Sequence, residues 1–298
     1  MRQLRRLGTL LVTLGAALLL VGCNGILAPI GPVGNAERTI LLDALVIMLA
    51  IVIPTMLATL AFAWWYRASN QRAQYLPTWT YSGRLELIVW SIPALTVFFL
   101  GGIAWISSHD LDPARPLPGK TAPLEIDVVS LDWKWLFIYP GQGVASVNRL
   151  VVPTGVPLHL RITSASVMNV FFVPRLGSQI YSMYGMQSQL NLQADQPGDY
   201  LGLAAHFSGD GFSDMNFQVH AVPAAEFTAW ATSTQANGGP SLDEPAYRAL
   251  LRQTSNVKPY TYPAVEPGLF DAILMQKLPP GDGPEAAVHA QPVAAAEK

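Results

Sequence analysis

Polar and apolar positions fall into three regimes along the chain. The first is a basic start, Arg2, Arg5 and Arg6, followed by an apolar stretch over residues 7–21 that runs into Leu20-Val21-Gly22-Cys23. That stretch is too short to cross a bilayer comfortably and has the order of a secretory signal. The second regime holds two uncharged runs, 23 residues at 44–66 and 22 residues at 87–108. At 1.5 Å per residue each covers about 30 Å of hydrocarbon core. Pro54 and Pro93 interrupt these runs, which spanning helices tolerate. In the third regime the pattern shortens to strands at 124–130, 133–139, 158–163, 170–173, 188–192, 200–204 and 216–222. Pro140-Gly141, Pro153-Thr154-Gly155, Pro197-Gly198-Asp199 and a polar stretch at 208–211 separate them. Strands at this spacing predict an all-β sandwich or barrel.

The pattern also orients the chain. The connector between the two spans carries Arg67, Arg72 and Arg84 and no acid before Glu86, so it belongs on the cytoplasmic side. Trp64, Trp65 and Tyr66 fall at that interface as an aromatic anchor, and everything after the second span faces outward. Gly101-Gly102 in the second span allows close helix contact. Glu86 sits at the cytoplasmic start of that span. An ionisable group there is costly and points to function; a carboxylate favoured by the helix dipole explains it equally well.

The organisation that follows is a signal peptide over 1–22, an outer segment over 23–39 and spans at 40–66 and 85–108 around a loop at 67–84. A Pro-rich linker at 109–123 precedes a β domain over 124–225 and a C-terminal arm over 226–277. Ser241 and Glu244 have capping-box spacing before the apolar patch at 247–251. The Pro-, Ala- and Gly-rich tail, 278–298, is expected to be disordered.

Composition narrows the classes. Of 298 residues 51% are hydrophobic and 13% charged, against about a quarter charged in an ordinary soluble domain. A disordered chain, a coiled coil and a nucleic-acid binder are excluded, since each needs more charge. With one cysteine, neither a disulfide framework nor a Cys-cluster metal site can form. That cysteine, Cys23, closes a string that resembles the lipobox of bacterial lipoproteins, which implies lipidation at Cys23 and cleavage before it. Cleavage removes three arginines and takes the net charge from −2 to −5, too little to argue for steering of a basic partner.

Three longer strings carry a second resemblance: VVSLDWKWLFIYP (128–140), VMNVFFVPRLGSQIYSMYGM (167–186) and GDGFSDMNFQV (209–219). They are similar to subunit II of the haem–copper oxidases, in its quinol-oxidising branch, the cytochrome bo-type ubiquinol oxidases. The segment at 256–273 resembles the arm of that branch. The resemblance implies a two-helix hairpin, then a cupredoxin-like sandwich and a short helical arm. It implies a bacterial inner membrane with the β domain in the periplasm, and as partners subunits I, III and IV and membrane lipid. Ubiquinol acts on the complex. Haems and copper belong to subunit I, which reduces O2 to water and pumps protons. Glu86 matches the family's glutamate near the inner mouth of a proton path.

In the cytochrome c branch this sandwich holds two coppers between paired thiolates, imidazoles and a thioether. At the matching positions this chain has Asn169 for the first His, Ala204 and Ser208 for the cysteines, His206 for a backbone-ligating Glu, and Phe212 for the second His. Met215 alone is retained. A thioether without thiolate or imidazole does not hold copper usefully, so the chain is expected to carry no cofactor and no catalytic residue. Trp133, Trp135, Phe137 and Tyr139 read as sheet packing rather than an electron path. His159 and His220 read as satisfied or surface histidines, His109 as interfacial, and Met183 with Met186 as core. The competing readings are a copper-bearing oxidase subunit, which lacks its ligands, and a lipid-anchored cupredoxin-like binding or assembly protein outside any oxidase.

Overall fold

The computed structural model describes residues 25–74, 76–119 and 121–283. The signal segment, Cys23 and residues 284–298 lie outside the described residues. The chain divides into two compact units, 37–112 in one and 25–36 with 113–283 in the other.

The helical unit consists of α1 (Pro32–Trp65), which begins in the other unit, and α2 (Gly83–Asp110). Both are long and apolar enough to cross a membrane. The helix starts well before the expected 40, so part of the segment assigned to 23–39 is helical. Pro32 at the first helical position is pre-set in φ and lacks an N–H that would otherwise go unpaired, and polar residues continue the helix outward from the apolar run. α2 buries no residue, and α1 buries only Val33 and Gly34. At its far end Arg67 Nη1 donates to the Trp64 carbonyl at 2.9 Å, and its guanidinium lies 4.8 Å over the Trp64 ring. Asn70 Nδ2 donates to the Trp65 carbonyl at 2.5 Å. These donors satisfy carbonyls that the helix end leaves free.

The β unit is a two-sheet sandwich. Its strands are β1 (Leu124–Leu131), β2 (Lys134–Tyr139), β3 (Val144–Val147), β4 (Arg149–Pro153), β5 (Leu158–Ser164), β6 (Asn169–Phe172), β7 (Ile180–Ser182), β8 (Ser188–Leu192), β9 (Gly198–Ala204), β10 (Asn216–Val222) and β11 (Tyr260–Tyr262). One sheet runs β11-β3-β2-β1-β5-β8 and the other β4-β10-β9-β6-β7. β1 pairs in parallel with β5, and β10 in parallel with β4; the remaining pairings are antiparallel. β3, β4, β7 and β11 were not expected. Each has five residues or fewer, too few for a period of two to declare itself.

The sandwich has two cores because β2 is buried on both faces. Trp135, Phe137 and Tyr139 point into the sandwich, where Phe137, Phe171 and Phe217 lie at centroid separations of 5.1–6.5 Å. Leu136 and Ile138 point the other way, into a second core with Leu242, Tyr247, Leu250, Phe270 and Ile273. That second core is the docked arm: α4 (Glu244–Leu250), β11 and α5 (Leu269–Leu274). α3 (Ala224–Ala236) joins it to the sandwich, resting Phe227 and Trp230 against Tyr139 at 6.2 and 5.1 Å.

Two details of the arm differ from expectation. The cap of α4 is Asp243, whose carboxylate accepts from the Ala246 N–H at 2.9 Å; Ser241 instead donates to the Ala264 carbonyl at 3.2 Å. Pro245 sits in the first turn of the helix, which starts at Glu244, where its fixed φ suits the helix and its missing N–H costs nothing. The start of the presumed tail is ordered: Leu278 is buried in the second core, the Gly281 N–H donates to the Ala165 carbonyl at 2.9 Å, and the Gly283 N–H donates to Asp132 at 2.9 Å. Low complexity did not disclose these backbone contacts, which need no side chain.

The N-terminal strap is part of the same unit. The Ile30 and Gly34 N–H groups donate to the carbonyls of Arg175 and Leu176 at 2.9 and 3.0 Å. Arg175 Nε donates to the Ala28 carbonyl at 2.9 Å. Ile30 is buried in the sandwich core.

Candidate functional site

The loop between β9 and β10 gathers the positions matched to copper ligands. Ala204, Ser208 and Met215 are buried, as is Asn169 at the start of β6. The loop closes on itself, with the Ala204 N–H donating to the Met215 carbonyl at 3.0 Å and a 3-10 turn at Phe212–Asp214. Asn169 Nδ2 donates to Met215 Sδ at 3.2 Å, and Ser208 Oγ lies 4.0 Å from the same sulfur. So Asn169, Ser208, Met215 and Ala204, matched to ligand positions by the resemblance, are brought together. Phe212 and His206 are not drawn into that contact: Phe212 packs edge-on to Phe207 at 5.7 Å, and His206 sits edge-on to Tyr181 at 6.3 Å.

The donor set in this pocket is an amide, a hydroxyl and a thioether already engaged by the amide. Soft dinuclear copper needs bridging thiolates and imidazole nitrogen, and the residues present do not fit it. Among the described residues no group of three or more His, Cys, Asp or Glu is placed to hold a metal ion.

The remaining sulfur and imidazole groups are dispersed. His159 Nδ1 pairs with Asn191 Oδ1 at 3.0 Å, His220 with Asp199 at 2.5 Å, and His109 with the Trp105 carbonyl at 2.8 Å. Met186 is exposed, which corrects its assignment to the core. It lies in a turn whose N–H reaches back to Met183 at 3.3 Å, so the i, i+3 spacing is not helical.

Glu86 lies in the first turn of α2. Its Oε2 accepts from Trp90 Nε1 at 3.3 Å, four residues on. The preceding Ser82 makes no side-chain cap bond, and Glu86 stands one position beyond the capping-box place.

Trp133, read from the sequence as sheet packing, lies instead in the β1–β2 turn, and with its neighbours Asp132 and Lys134 it makes polar contacts that sequence reasoning missed. Trp133 has φ +68°, and its indole N–H donates to the Ser208 carbonyl of the β9–β10 loop at 3.0 Å. Lys134, 2% exposed, donates through Nζ to the Arg252 carbonyl at 2.7 Å and to Thr254 Oγ1 at 2.6 Å. Burial pushes its ammonium down to about 8, against the opposing charge of Asp132. Asp132 accepts from Ser166 Oγ and from the Gly283 N–H. The signal was a lysine inside an otherwise apolar strand, which is a buried charge in need of partners. On the same sheet face Asp127 and Arg161 form a two-point pair at 2.7 and 2.8 Å. Burial holds the Asp127 carboxyl above the usual range, the guanidinium opposing it.

Residues 128–222 match the family described as cytochrome c oxidase subunit II, periplasmic domain, and residues 236–281 match the COX aromatic rich motif. The chain is 49% identical over 264 residues to ubiquinol oxidase subunit 2 of Acetobacter aceti, covering 88% of this chain and 85% of that one. It is 47% identical over 277 residues to cytochrome bo(3) ubiquinol oxidase subunit 2 of Pseudomonas aeruginosa, covering 93% and 83%. Among solved structures it is similar to the periplasmic domain of subunit II of the cytochrome oxidase of Bradyrhizobium japonicum. That match has 23% identity and a TM-score of 0.37, over 39% of this chain and 96% of that one. Two apolar helices, a cupredoxin-like sandwich and a docked arm thus meet relatives of nearly full length, and the chain belongs to the family of subunit 2 of the ubiquinol oxidases.

Proposed function

We propose that the chain is a redox-silent subunit of a proton-pumping terminal ubiquinol oxidase in the aerobic respiratory chain of a bacterial inner membrane. It caps the outer face of the complex beside subunits I, III and IV. Haems and copper reside in subunit I, where quinol is oxidised and O2 reduced. This chain holds no copper and no catalytic residue.

The observation that carries the reading is the pocket around Met215. Its thioether is taken up by the Asn169 amide, and Ala204 and Ser208 bring no thiolate. Electrons from quinol therefore reach the haems without passing through the sandwich. In the helical unit, Glu86 collects protons from the cytoplasm. Beyond Trp90 its helical stripe continues as Pro93, Val97 and Gly101, which cannot carry a proton, so the proton leaves sideways to the partner subunit. Lipidation at Cys23 adds a second anchor to the two spans.

The test is purification of the tagged full chain in mild detergent. Co-purifying b-type haem with ubiquinol oxidase activity, and no copper on this chain, is the expected result. A haem-free preparation points to the assembly-protein alternative, and a mixed-valence dinuclear copper signal from this chain overturns redox silence. A mass measurement of the mature N-terminus reads processing at Cys23.

A further inference from the structure

Trp133 is the one residue between two that the arm holds. Asp132 accepts the Gly283 N–H, and Lys134 reaches Arg252 and Thr254. Trp133 itself turns the other way. Its indole N–H donates to the Ser208 carbonyl, and its ring covers Gly211 so closely that a Cβ there would lie 2.4 Å from it. Its φ of +68° is unusual for a bulky L residue. Such a conformation persists only where the surroundings over-determine it. Here the surroundings are the arm on one side and the β9–β10 loop on the other.

We propose that the C-terminal arm takes the place of a metal as the fastener of the β9–β10 loop. By gripping Asp132 and Lys134 it fixes the β1–β2 turn in the form that lays Trp133 over Ser208 and Gly211. The inference rests on the copper-free reading above. In a copper-bearing sandwich the loop ends are tied by ligand bonds. Here backbone bonds hold the loop ends, from the Ala204 N–H to the Met215 carbonyl and from the Ala205 N–H to the Val170 carbonyl, but the side-chain ties around Met215 are one amide-to-sulfur contact and a distant hydroxyl. A thioether accepts hydrogen bonds weakly, so these side chains restrain the stretch between the loop ends poorly. The arm adds the missing restraint from behind, and the buried Lys134 and Asp132 bind it to the turn at two points, on either side of Trp133.

Hydrogen exchange of the purified oxidase complex tests this. The complexes compared carry the wild-type chain, Lys134→Met with Asp132→Asn, Trp133→Phe, or a chain ending at residue 236. Removing or loosening the arm is expected to speed exchange of amides 204–215 by roughly tenfold or more, as local opening becomes cheaper. Trp133→Phe keeps the arm contacts and loses the indole donor. It is expected to speed the loop while amides 242–283 stay slow. Unchanged loop exchange in a complex whose arm has been freed overturns the proposal. If the shortened chain does not assemble, unchanged loop exchange in Trp133→Phe overturns it equally. Metal analysis of the same wild-type sample separates the two readings: copper on this chain defeats redox silence, whereas an indifferent loop in copper-free protein defeats the fastener alone.

Discussion

Trp90 and Glu86 face each other across one turn of α2, with the indole N–H 3.3 Å from the carboxylate Oε2. The bond selects one orientation of the carboxylate on a helix that otherwise offers it no partner from Ser82. If Glu86 feeds protons to the complex, Glu86→Ala lowers quinol-driven O2 uptake by roughly tenfold, less than a group bonded to the reacting atom contributes. Trp90→Phe lowers it by about threefold, the worth of one modest hydrogen bond. The double variant is no slower than Glu86→Ala, because the indole acts through the carboxylate. Oxygen-electrode rates on assembled complexes read all three, and additive losses count against the pair.

Lys134 makes arm docking depend on pH. Its ammonium is held at about 8 in the folded protein, against an ordinary 10.5. Between those values the freed arm leaves Lys134 with more bound proton than the docked arm does, so docking strengthens as pH rises through the window. The neutral amine keeps two donors for Arg252 and Thr254. Proteolysis of the arm in the complex is expected to slow from pH 7.5 to 10. Lys134→Met should flatten that dependence, and an arm that loosens with alkali contradicts the assignment.

Asp132→Ala leaves two donors, Ser166 Oγ and the Gly283 N–H, without their acceptor in a buried place. Each unsatisfied buried group costs about 1–3 kcal/mol. A lowered thermal midpoint for the arm, seen by exchange at 242–283 before the sandwich opens, is the expected result.

Gly31 marks where the N-terminal strap meets the sandwich. A Cβ there would lie 2.0 Å from the Gln193 carbonyl oxygen, a backbone atom that cannot swing aside. Gly31→Ala therefore lifts the strap or shifts the Gln193 backbone, at a cost of about 1–3 kcal/mol. Faster exchange at 25–34 with an intact sandwich core checks it; unchanged protection there would show that the strap adapts freely.

Much of this molecule is legible along the chain. The two uncharged runs, the shift to short strands and the turn signals follow from one-dimensional patterning, because a helix or strand that buries one face must repeat its apolar residues. The substituted positions Asn169, Ala204, Ser208 and Phe212 are legible for a different reason: the resemblance aligns them with ligand positions, and the residues standing there carry neither thiolate nor imidazole. Even the second core left a mark, since Leu136 and Ile138 are apolar where a one-sided sheet would be polar.

What only the tertiary structure decided is which long-range partners meet. Nothing near Lys134 in sequence indicates Thr254, 120 residues away, nor does Asp132 indicate Gly283, 151 residues away. Backbone acceptors and donors look alike at every position, so a contact to them leaves no residue-type signal. The left-handed turn at Trp133 is hidden likewise, because its conformation is imposed by the loop and the arm and not by its own preference. Patterning sets what each segment buries; the closing of distant segments on one another decides against what.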